Sequence, residues 1–140
     1  MYQTTTPTFR FSIPYEADEI NNFILSFVQQ GKTVFTFTRE NCVVTDKEVM
    51  ITLTQEQSAV FVHRYPIHIQ LRIMLNSGVV VSSAVEHIYV HRSLDDTVLT
   101  IMPEYYVEKT DETTDEDTNE NYNIDLDFSN NDTDIRMGFA

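Results

Sequence analysis

Four histidines, one cysteine and a dense run of carboxylates are the side chains of this chain that could do chemistry. His68 and His87 sit on two stretches that read as the arms of one hairpin, so they can meet across the strands. A zinc centre needs three or four convergent ligands. The one cysteine, Cys42, is remote in sequence, and no acidic residue stands at a ligand spacing, so the two histidines read as residues of a wet sheet face. Asp115, Asp117 and Asn119 imitate the opening of a calcium loop, but Glu120 occupies the place of the turn glycine and Leu126 that of the bidentate glutamate. Ser82-Ser83 lacks the flanking glycines of a nucleophile elbow. The crowded carboxylates lie where nothing would exclude water or hold geometry. Cys42, in a Val-rich strand, reads as a small buried hydrophobe. The expectation is a protein that is not an enzyme, with no metal and no cofactor.

The charge is unevenly distributed. Of the net −13, residues 1–103 carry seven basic and ten acidic groups, and residues 104–140 two basic and twelve acidic. The absence of a Lys/Arg cluster argues against direct nucleic-acid binding and against docking on an anionic membrane. No apolar run is long enough to cross a bilayer, and Met1–Thr6 lacks the charged start and apolar core of a signal peptide. A single cysteine leaves stability to packing.

The elements that would position these residues are mostly strands. Phe9, Phe11 and Ile13 alternate with Arg10 and Ser12, ahead of Pro14. An acidic connector, Glu16–Ile20, leads to a strand over Phe23–Gln29, with Phe23, Leu25 and Phe27 on one face. A turn at Gln30-Gly31-Lys32 returns it as Thr33–Thr38. Cys42–Val44 and Val49–Leu53 form a second hairpin about Thr45–Glu48. Thr54 and Gln57 have the spacing of a capping box, predicting a short helix to about Phe61, with Ala59, Val60 and Phe61 covering an open end of the sheets. Ile67, Ile69, Leu71, Ile73 and Leu75 give the cleanest alternation in the chain. After Asn76-Ser77-Gly78, a last long strand covers Val79–Val90, and its change of phase predicts a bulge near Ser82-Ser83-Ala84. Six or seven strands with one short helix predict an all-β fold, an antiparallel immunoglobulin-like β-sandwich.

The chain divides by composition into a β-sandwich domain over 1–102, an acidic linker over 103–121 and an extended docking segment over 122–140. The linker has no period and could reach ~60 Å if extended. Tyr122, Ile124, Leu126 and Phe128 then alternate with polar residues, and Ile135, Met137 and Phe139 repeat the pattern more weakly. Strand periodicity at the end of an acidic tail predicts a segment that adds to the edge of another sheet, where backbone bonds give affinity and alternate side chains fill pockets. These seven residues are the expected partner-binding set.

The order of elements resembles a known family. The Phe-Arg-Phe-Ser-Ile strand, the acidic connector, the strand ending Gln-Gln-Gly-Lys, the Cys42–Leu53 hairpin with Thr54-Gln55-Glu56, and the Ile67–Leu75 strand with Asn76-Ser77-Gly78 are similar to small β-sandwich virion proteins of tailed bacteriophages. In particular the chain resembles the N-terminal attachment domain of phage baseplate upper proteins, over about residues 8–95. The resemblance implies a virion structural protein, made in the host cytoplasm, packing on a tail, baseplate or capsid surface. Its partners would be other virion proteins, with a further copy of itself among them. Receptor-binding members continue into a coiled coil or fibre, whereas this chain continues into an acidic tail, which favours an adaptor, decoration or assembly role. The alternative is a soluble acidic inhibitor or DNA mimic that binds a basic host protein.

Overall fold

A computed structural model describes residues 1–105 and 120–131. Two sheets face each other across one apolar core. Strands β1 (Thr8–Ser12), β2 (Ile20–Gln29), β3 (Lys32–Thr38), β4 (Val43–Thr45), β5 (Glu48–Thr52), β6 (Ile67–Leu75), β7 (Val80–Ser82), β8 (Glu86–Ile88) and β9 (Asn121–Asp125) follow in chain order, with helix α1 (Gln55–Ala59) between β5 and β6. One sheet has the order β4-β5-β1-β9. The other runs β3-β2-β6-β7, with β8 also pairing β6.

The second sheet is built on the antiparallel pairing of β2 with β6, which sets Phe23 opposite Ile73, Leu25 opposite Leu71 and Phe27 opposite Ile69. These six residues are 0–2% exposed. The facing sheet contributes Phe9, Phe11, Val49 and Ile51 to the same core. Phe9 meets Phe27 edge-on at 5.3 Å, and Phe27 meets Phe37 at 5.6 Å. Such ring geometry adds to the burial itself. The described ion pairs, Arg10–Glu48 and Lys47–Glu16, are long and solvent-exposed, so they add little.

The turns follow from backbone chemistry. Gln30 and Gly31 both take positive φ, 55° and 76°, the two-residue turn whose twist matches a hairpin. The capping box forms as expected: Gln57 N donates to Thr54 Oγ1 at 3.0 Å, and Thr54 N donates to Gln57 Oε1 at 2.9 Å.

Four readings of the sequence are corrected. The described residues hold nine strands, because the predicted Val79–Val90 strand divides into β7 and β8 and β9 joins the sandwich. Buried Ser83 makes the break: its N–H donates to Leu71 O, and its Oγ accepts from Leu71 N. The phase change then puts both Val81 and Ile88 inside. The helix ends at Ala59, and only Phe61 covers the core, since Val60 is 55% exposed. The fold is not wholly antiparallel: β9 runs parallel to β1, as a long connection permits. Leu126 and Phe128 belong to the common core, so the boundaries at 103 and 122 divide composition and not packing.

A side-chain amide completes the core end. Gln29, 5% exposed, donates to Val62 O and Tyr65 O at 2.7 and 2.8 Å, and its Oε1 accepts from Val62 N at 2.8 Å. Replacing it with Leu strands three backbone groups of the β6 approach. Gln29→Leu is expected to lose about 1–3 kcal/mol, and Phe27→Ala about 3–5 kcal/mol, both read from urea unfolding curves.

Candidate functional site

The expected partner-binding residues divide into two groups. Ile135, Met137 and Phe139 lie outside the described residues. Tyr122, Ile124, Leu126 and Phe128 lie on the segment 120–131, which crosses from one sheet to the other. The strand reading holds over Asn121–Asp125, where β9 ends, and the alternation of faces continues beyond it, since Leu126 and Phe128 are buried and Asn123, Asp125 and Asp127 are exposed. The edge they occupy, however, belongs to this same chain.

β9 pairs with β1 from Thr8↔Asn121 to Ser12↔Asp125. Bonds outside the ladder extend it at both ends: Thr8 N donates to Glu120 O at 2.8 Å, and Leu126 N to Ser12 O at 3.1 Å. Tyr122 stacks on Phe9 with centroids 5.1 Å apart, and Phe128 meets Tyr15 edge-on at 5.6 Å. The segment then reaches the second sheet. Ala84 N donates to Asp127 O at 2.6 Å. The Asn131 amide brackets Ser82, accepting from its N–H at 3.0 Å and donating to its carbonyl at 2.6 Å. Residues 120–131 therefore form a clasp from the edge of β1 to β7.

Glu120 fixes the start of this clasp. Its carboxylate accepts from Tyr2 N at 3.0 Å, Thr5 Oγ1 at 2.5 Å and the Tyr122 hydroxyl at 2.9 Å. The chain's amino group, which donates to Tyr89 O at 2.8 Å, feels the same carboxylate. Burial lowers the pKa of that amine, and Glu120 acts against the shift. The Tyr122 phenol is held well above its ordinary value, by burial first and then by its bond to Glu120.

The histidine pair forms as the hairpin suggested. His68 and His87 stand directly opposite on β6 and β8, with ring centroids 4.5 Å apart. Among the described residues, no group of three His, Cys, Asp or Glu side chains is placed to hold a metal. The calcium-like run Asp115–Asn119 lies outside the described residues. Leu126, in the glutamate position of that pattern, is a core residue. Cys42 is half-buried, and burial raises its thiol pKa to about 11, far from a reactive thiolate at neutral pH.

Comparison with protein-family models, with curated proteins and with solved structures finds no match for this chain. What the clasp can do is therefore argued from its geometry. It is a strand-addition joint: backbone bonds along β1, alternate side chains in the core and polar locks at both ends. Sequence reasoning passed over two of its residues. Glu120 looked like one more linker carboxylate, and its only local signal is that it immediately precedes the alternating run. Asn131 had no signal, because its partner is 49 positions away.

Removing a lock should loosen the clasp without unfolding the sandwich. Glu120→Ala is expected to lower stability by about 1–3 kcal/mol and Asn131→Ala by about 1 kcal/mol. Each should raise amide hydrogen exchange selectively over residues 121–128. The Tyr122 shift gives a pH test. A phenol whose folded pKa is raised contributes stability that is complete below its unfolded value, near 10, and is lost as pH rises above it. Wild-type stability is expected to fall more steeply as pH rises above about 10 than that of Tyr122→Phe, measured by urea midpoints.

Proposed function

We propose that this chain is a non-enzymatic interaction module with an immunoglobulin-like sandwich, serving as a structural protein of a bacteriophage virion that binds neighbouring virion proteins. The observation that carries the interaction reading is the segment after β8. Leu94, Leu99, Ile101, Met102 and Tyr105 are each more than half exposed within a dozen residues. Scattered apolar residues are ordinary on a surface, but a concentrated patch marks a contact. The segment is also held in place. The Gln55 amide donates to Leu99 O and accepts from Leu99 N, both at 2.8 Å. The fold thus presents a short, uncharged, β-prone stretch, Thr97–Met102, anchored at Leu99.

The likeness of element order to phage attachment domains supplies the virion part of this reading. An adaptor or decoration role agrees with a small module that holds its own tail strand and keeps an apolar arm outside.

Mass spectrometry of purified particles tests the proposal. The chain is expected at fixed stoichiometry to other virion proteins. A copy carrying Leu99→Asp and Ile101→Asp should keep its thermal midpoint yet fall at least tenfold in incorporation. Absence from particles, with salt-sensitive binding to a basic host protein, would replace this reading with that of an acidic inhibitor.

A further inference from the structure

The clasp is joined to the rest of the fold through the fourteen residues 106–119, six of them acidic and one basic. At ~3.3–3.6 Å per residue, fourteen residues have a maximum reach of roughly 50 Å. None of the clasp's bonds needs that connection to be short. Its partners are Tyr2, Thr5, the β1 strand, Ser82 and Ala84, all far away in sequence. The acceptor groove of one copy therefore offers the same edge, the same apolar seats and the same polar locks to residues 120–131 of another.

We propose that the β1 edge is a donor-strand acceptor site whose second occupant is the 120–131 segment of another copy of this chain. The seat is specific. It takes an aromatic against Phe9, apolar groups at the Leu126 and Phe128 positions, a carboxylate facing Tyr2 and Thr5, and an amide on Ser82. The chain's own sequence meets every one of these demands. The exchanged state keeps each of these bonds and changes only which copy supplies them, so the two states differ mainly through the connection and the concentration. Reciprocal exchange closes a dimer, and one-way exchange builds an open row of subunits. The proposal stands whether or not the chain resides in a particle.

Thr8 and Asn121 are register partners across β1 and β9, so cysteines at these positions report which copy supplies the strand. The full chain carrying Thr8→Cys, Asn121→Cys and Cys42→Ser is refolded from denaturant at micromolar and at millimolar concentration, then oxidised. The expected result is an internal bridge in the dilute sample and a disulfide-linked dimer or ladder, on a non-reducing gel, in the concentrated one. Monomers alone at both concentrations overturn the proposal, as do dimers whose bridge remains internal. Wild-type chain refolded in parallel and sized by light scattering guards against an effect of the new cysteines. A mass that at least doubles in the concentrated sample supports exchange, and 16.3 kDa in both samples overturns it.

Discussion

Strand β1 has two rows of backbone groups and needs a partner for each. The row toward β5 is met by a strand about forty residues away, joined through well-defined hairpins. The other row is met, among the described residues, by β9, which returns after the acidic stretch. An unpaired edge here would leave Phe9 and Phe11 at the margin of the sheet and expose a row of donors and acceptors to any passing strand. The clasp resolves both problems. It pairs the edge, and it lowers Leu126 and Phe128 into the gap between the sheets.

The same device recurs elsewhere in the fold. Gln29 brackets Val62, Gln55 brackets Leu99 and Asn131 brackets Ser82, each amide meeting both the N–H and the C=O of a single residue. A side-chain amide has the donor and acceptor of a peptide group, so it stands in for a neighbouring strand where no strand is available. Each bracket holds a segment that the ladders miss: the approach to β6, the apolar arm and the end of the clasp. Backbone groups that no ladder reaches still need partners, and here side chains supply them at the places where the sheets end.

Much of this was legible in the residues themselves. Ile67–Leu75 alternates so regularly that its buried face was determined by parity alone, and Thr54 with Gln57 marked the helix start. Tyr122–Phe128 showed both strand period and the correct inward face. Missed features have a common cause. The change of phase marked the break at Ser83 but not its bond to Leu71, while Glu120 gathers donors from Tyr2 and Thr5, and Asn131 meets Ser82. Each depends on a partner distant in sequence, and local pattern carries no record of that partner.

The sequence by itself determined that this is a chain of short strands with one capped helix, that its acidity is concentrated late, and that an apolar strand lies within the acidic region. Those properties are local: they come from side-chain alternation, turn chemistry and charge. Only the tertiary structure decided whose edge that strand occupies. A period of two states which side chains must be buried and is silent about the sheet that buries them, because pairing is set by backbone groups that every residue shares. The fit of Tyr122 to Phe9, Phe128 to Tyr15 and Asn131 to Ser82 supplied the missing choice and made the late strand part of the fold.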